Sequence, residues 1–72
     1  MDLEEVKNIL RKNVMSTIKR MKKEGTTGAS KECLRANTST YGLSCTVKEY
    51  MEVWWELVDE LQVNGFDIYD DE

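Results

Sequence analysis

The feature that most constrains the fold of this chain is an amphipathic repeat near its carboxyl end. Large apolar side chains recur there every three or four residues, at Val47, Tyr50, Trp54, Leu57 and Leu61. This spacing places them on one face of an α-helix. Thr46 and Glu49 form a capping box at its start, with Ser44 as an alternative cap, and the Asn64-Gly65 pair favours an end. We therefore predict a helix over about 46–63.

A second amphipathic stretch lies at the amino end. Asp2 is a good N-cap residue, with Glu5 in capping-box position, and Gly25 is typical of a helix stop. The sequence therefore predicts a long helix over about 3–24, whose apolar face has helical spacing. The residues of that face are Leu3, Val6, Leu10, Val14, Thr17, Ile18 and Met21.

The middle of the chain is less strongly patterned. Ser30 favours a short helix over about 31–36 that buries Cys33 and Leu34. Residues 37–42 are rich in turn-forming side chains, and 66–69 have the partial alternation of a strand or extended tail. The last three residues, all acidic, are expected to be a solvated end. The fold class predicted is mainly α: a small three-helix single domain over 1–72 with at most a short C-terminal β element.

Composition excludes several classes of function. The chain has 72 residues, no histidine, no proline and two cysteines. Without histidine, the usual general acid–base groups and metal ligands are missing, so we expect no enzyme, no cofactor and no metal site. No apolar run is long enough to span a membrane. We expect a cytoplasmic protein with Cys33 and Cys45 as reduced, small buried residues.

The small size of the chain favours self-association. A core of this size rarely contributes more than about 3–5 kcal/mol of stability without a disulfide, a metal or an oligomer. Two cysteines do not make a disulfide framework, and nothing else in the sequence binds zinc. A homodimer is therefore expected, and one form of it would be an assembly built on the Trp54 stripe.

The charge of the chain is divided at the start of the last predicted helix. All ten Lys and Arg lie between Lys7 and Lys48, whereas the sequence from Glu49 onward holds acids and no base. Five of these acids fall on the last predicted helix, opposite its apolar face, and span about 16 Å at the α-helical rise per residue. These five residues are Glu49, Glu52, Glu56, Asp59 and Glu60.

This acidic row has two interpretations. The first is a solvated helix face that keeps the protein soluble. The second is a docking surface for a basic protein surface, in which carboxylates occupy the positions of phosphates. Trp55 lies at the rim of the same helix, beside the core position of Trp54, and exposed aromatics are typical binding anchors.

The basic residues concentrate on the first predicted helix and allow three interpretations. They can form a nucleic-acid contact surface, a surface for an anionic membrane, or a solvated face that balances the acidic helix within the molecule. The candidate nucleic-acid-binding residues are Lys12, Lys19, Arg20, Lys22, Lys23 and Lys48.

Three segments resemble helix-turn-helix domains of the winged-helix type, over residues 28–69. Gly28-Ala29-Ser30-Lys31-Glu32 is similar to the start of their second helix. Residues 42–50 resemble the turn and third helix, and 64–69 the entry into the wing strand. The resemblance implies a helix-turn-helix-like fold, but not the family's usual DNA contact through the third helix, because five acids on that helix would repel phosphates. Only Ser44, Thr46 and Lys48, at the start of that helix, match the DNA-contacting positions. The chain differs from the family in a longer connection after Leu34, in the lack of a second wing strand and in the acidity of the third helix.

Two functions are therefore expected. The first is a non-catalytic regulator or inhibitor whose acidic helix and tail dock on a basic surface of a nucleic-acid-handling protein. In charge pattern it resembles small phage inhibitors of restriction or CRISPR enzymes. The alternative is a winged-helix-like DNA-binding transcriptional regulator that uses the basic first helix and Lys48.

Overall fold

Three α-helices and two short strands build the fold. The computed structural model describes residues 1–71. In chain order the elements are α1 (Leu3–Lys23), β1 (Gly28–Ser30), α2 (Lys31–Asn37), α3 (Val47–Glu60) and β2 (Asp67–Tyr69). The predicted class, mainly α with a short β element, is confirmed.

Helix α1 begins and ends where its sequence signals indicate. The backbone N–H of Glu5 donates to Asp2 Oδ1 at 2.8 Å, which satisfies one of the free amides of the first turn. Gly25 has φ of 90°, a left-handed conformation that turns the chain away from the helix. The apolar stripe from Val6 to Met21 is buried, but Leu3 is exposed because it precedes the region covered by other elements.

Helix α3 has the predicted capping box but ends three residues before the predicted boundary. Thr46 and Glu49 cap each other reciprocally. The helix ends at Glu60, and Leu61 is already extended. Its last turn carries acids and no base, which disfavours further helix at the negative end of the dipole. The Asn64-Gly65 pair therefore forms a separate tight turn rather than the helix end.

That turn brings the carboxyl end of the chain back to the core. Gly65 has φ of 80°, and the Phe66 N–H donates to the Val63 carbonyl at 3.2 Å. Phe66 is buried, and β2 then pairs in parallel with β1, Ala29 opposite Ile68. The predicted strand or extended tail over 66–69 is thus the strand β2, and its partner is β1.

A single layer of apolar side chains joins α1, α2 and α3. Trp54, Leu10 and Leu34 are among the fully buried side chains at its centre. Two further predicted core positions are wrong, because Val47 is 77% exposed at the start of α3 and Cys33 is exposed on α2. Cys45, also predicted to be buried, is half-buried. No helix within residues 1–71 is long and apolar enough to cross a membrane.

Candidate functional site

The acidic face of α3 points away from the core, as its spacing predicts. Val53, Leu57 and Val58 bury the opposite side of the helix. The acidic side chains Glu52, Glu56, Asp59 and Glu60 are all exposed. Trp55 lies on the same outward side and is 39% exposed, whereas Trp54 is fully buried. The structure therefore places an aromatic side chain on the face that carries the carboxylates.

Lys7 of α1 lies beneath one end of this face. Its ammonium group is 3.0 Å from Glu56 Oε1 and 3.0 Å from Glu60 Oε2. The lysine side chain is 12% exposed, while the side chains of Glu56 and Glu60 are 64% and 54% exposed. The hydrogen bonds to Glu56 and then Glu60 raise the pKa of Lys7 above its ordinary value.

Lys31, the first residue of α2, has the same arrangement at the other edge. Its ammonium is 3.0 Å from Asp59 Oδ1 and 2.6 Å from Asp70 Oδ1, and the lysine side chain is 18% exposed. The hydrogen bond to Asp70, followed by the one to Asp59, raises the pKa of Lys31. Asp71 accepts from the Glu32 N–H at 3.1 Å, so Asp70 and Asp71 contact α2 while both remain exposed to solvent, as the sequence predicts. Glu72 lies outside the described residues.

These contacts leave the face negative. Each lysine is shared by two carboxylates, so each of the two clusters keeps a net negative charge. Because the lysines are mostly covered and the carboxylates are mostly exposed, a partner would meet oxygen atoms rather than ammonium groups. The acids are therefore partly balanced within the molecule, but they remain the outer layer.

The other two acids of α3 differ from these pairs. Glu49 accepts from the Thr46 backbone N–H and hydroxyl, each at 3.0 Å, and these bonds lower the pKa of Glu49. The carboxylate of Glu49 is therefore part of the capping box of α3. Glu52 makes no ion pair within residues 1–71 and stands in the middle of the exposed side, between Lys48 and Glu56 at helical spacing.

Some of the candidate basic side chains contact other groups of the protein, and the rest do not. Arg20 lies 3.5 Å from Glu24, and Lys22 donates to the Asn64 carbonyl at 2.9 Å. In the part of the chain that the structure describes, four of them are exposed and form neither an ion pair nor a side-chain hydrogen bond: Lys12, Lys19 and Lys23 on α1, and Lys48 on α3.

An open cleft of about 370 Å³, which the sequence does not predict, lies beside the first turn of α3. Leu43, Cys45, Tyr50 and Met51 supply much of its lining, together with Arg35. The guanidinium of Arg35 is already held, 2.7 Å from Glu32. Helical spacing could not have revealed this cleft, because it forms where the irregular segment 38–46 folds back on α3.

The described residues contain no candidate metal site. No group of three or more acidic or cysteine side chains within residues 1–71 is arranged to hold a metal ion. Cys33 and Cys45 are both free thiols.

Comparisons of the chain with protein-family models, with curated proteins and with solved structures gave no match.

Proposed function

We propose that this chain is a non-catalytic binding protein whose acidic face docks on a basic protein surface. The observation that carries the proposal is the pair of covered lysines, Lys7 and Lys31, each held between two exposed carboxylates. This arrangement supports binding because the acids are fixed in place while their outer oxygens stay accessible.

Fixed carboxylates favour affinity for an entropic reason. A long acidic side chain that is free in solution loses rotamer freedom when it meets a partner, at a cost of about 0.5–1.5 kcal/mol per side chain. Glu56 and Glu60 have lost part of that freedom already, because Lys7 holds both. Trp55 adds an apolar anchor of the type that is enriched in interfaces.

The proposed partner is a protein that itself handles nucleic acid. From Glu52 to Glu60 the row covers about 12 Å of helix, which suits a groove whose Lys and Arg side chains otherwise bind phosphates. We propose that the chain acts as a regulator or inhibitor, of the kind found in small phage proteins. The two free thiols support a reducing compartment such as the cytoplasm.

A deca-arginine peptide tests the proposed face, with tryptophan fluorescence as the signal. Trp55 is part of the face, so its emission reports the bound peptide. We expect Glu52→Gln to weaken binding about 1.4- to fivefold, because an exposed charge pair contributes about 0.2–1 kcal/mol. Glu52 is suited to this test because it has no ion pair within residues 1–71.

The matched control is Glu4→Gln, which removes the same charge from the first turn of α1. If a general negative charge attracts the peptide, both substitutions weaken binding equally and the proposal is wrong. If the acidic face is the site, only the Glu52 variant loses affinity. Trp55→Ala should weaken binding as well, measured by calorimetry because the fluorescent reporter is lost.

A further inference from the structure

The outward side of α1 forms a second charged surface, of opposite sign. Lys12, Lys19 and Lys23 are seven and four residues apart, which places them on one side of the helix over about 16 Å. The buried stripe of α1, including Leu10 and Val14, occupies the other side. We call the three lysines the α1 lysine face.

Unlike Lys7 and Lys31, these lysines are left without acids. None of the three forms an ion pair with a residue in the range 1–71, and all three are exposed. Lys12 and Lys19 line a shallow depression of about 440 Å³, together with Met15 and Ser16. The chain has an excess of acids, yet these three lysines lie on one side of one helix without ion-pair partners. They are therefore able to bind an anionic ligand.

We infer that the α1 lysine face binds the phosphate backbone of a nucleic-acid duplex, independently of the acidic face. Lysine contacts phosphates as a point charge and carries no base-reading geometry, so this binding is independent of sequence. A duplex is favoured over a single strand because single-strand sites need aromatic platforms for the bases. The exposed aromatics Tyr41, Trp55 and Tyr69 all lie outside α1.

An anionic membrane fits this face less well. Helices that lie in a membrane interface insert a broad apolar face between the lipids. The apolar face of α1 is buried in the core, and Met15 is the exposed apolar side chain between the lysines. A duplex requires phosphate contacts alone, which is what the α1 lysine face offers.

The inference is separate from the proposed function. Helices α1 and α3 pack against each other through their buried sides, so their charged sides face different directions. A partner on the acidic face leaves the α1 lysine face uncovered. The docking proposal and the duplex inference can therefore be wrong independently, and each is tested with its own variants.

Fluorescence anisotropy of a labelled DNA duplex, titrated with the full chain at several salt concentrations, tests the inference. Three phosphate contacts predict a slope of roughly −2.7 in log K against log salt, or a roughly 40-fold loss of affinity for a fourfold rise in salt. Each of Lys12→Gln, Lys19→Gln and Lys23→Gln should make that slope shallower by about 0.9. Far-UV circular dichroism confirms that each variant remains folded.

Lys48→Gln is the matched control, because it removes the same charge from an exposed position on α3. The inference predicts an unchanged slope for this variant. It is overturned if the Lys48 variant loses as much as the α1 variants, since the start of α3 would then be the contact. Absence of DNA binding at about 20 mM salt, where such contacts are strongest, also overturns it. So does binding to phosphatidylserine vesicles without binding to DNA.

Discussion

Two adjacent tryptophans show how one residue of displacement along a helix changes the role of a side chain. Neighbouring residues in an α-helix point about 100° apart. Trp54 is therefore fully buried, whereas Trp55 is 39% exposed on the acidic face. The indole Nε1 of Trp54 has no hydrogen-bond partner within residues 1–71, so its contribution to stability comes from apolar burial.

We expect Trp54→Ala to unfold the protein and Trp55→Ala to leave it folded. Removing a large buried aromatic costs about 3–5 kcal/mol, which matches the whole stability expected of a core this small. Truncation of Trp55, which is 39% exposed, should cost less than truncation of Trp54, because part of its surface already contacts solvent. Urea denaturation followed by circular dichroism measures both. Equal losses for the two variants would contradict the assignment of core and surface.

At the scale of the elements, local signals determine where the helices start, whereas tertiary contacts determine where α3 ends. The caps at Asp2, Ser30 and Thr46 form as the sequence predicts, because each needs only residues within the first turn. The end of α3 was predicted too late. Phe66 must reach the core and β2 must reach β1, which requires an extended chain after Glu60.

The capping box of α3 should make stability depend on acid pH through Glu49. Its pKa is lowered in the folded protein, so its contribution is present above the ordinary value of about 4.3 and is lost as pH falls through the folded-state pKa. We expect Glu49→Gln to be less stable than the wild type at pH 7. The difference between the two proteins should disappear as the pH falls below about 4.

Urea denaturation at a series of pH values measures this difference. Glu52→Gln is the comparison variant, since it removes a charge from the same helix without touching the cap. At pH 7 it should change stability by about 0.5 kcal/mol or less. A gap between the Glu49 variant and the wild type that persists unchanged at low pH would show that the carboxylate charge does not contribute to the cap.

For the whole molecule, the sequence predicted the helices and their buried faces better than it predicted which charged side chains pair. Helical spacing identified α1, α3 and the buried position of Trp54, because each of these depends on residues that are close together in the sequence. The pairing of Lys7 with Glu56 joins residues 49 positions apart and depends on how α1 crosses α3. No local pattern encodes that crossing, nor the parallel pairing of β1 with β2.

The Lys7 contact should stabilise the folded chain up to alkaline pH. Because the pKa of Lys7 is raised, its contribution is fully present below the ordinary value of about 10.4 and is lost as pH rises through the folded-state pKa. We expect Lys7→Gln to be less stable than the wild type at pH 7, with a gap that narrows above about pH 10.4. The control is Lys12→Gln, an exposed lysine of the same helix without an ion pair in residues 1–71.

Thermal unfolding at a series of pH values measures both variants. The Lys12 variant should remain close to the wild type at neutral pH, because no contact is lost. An equal destabilisation of both variants would indicate an effect of total charge and would argue against a specific role for Lys7 beneath the acidic face.

Chemical-shift mapping of the labelled full chain with a deca-arginine peptide shows directly whether the acidic face of α3 is a docking surface. We expect the backbone amides of Glu52, Glu56 and Asp59 to shift together with the indole N–H of Trp55. The indole N–H of the buried Trp54 should shift far less. Shifts spread evenly over all acidic residues, including Glu4 and Glu5 of α1, would contradict the claim that the acidic face of α3 is a docking surface.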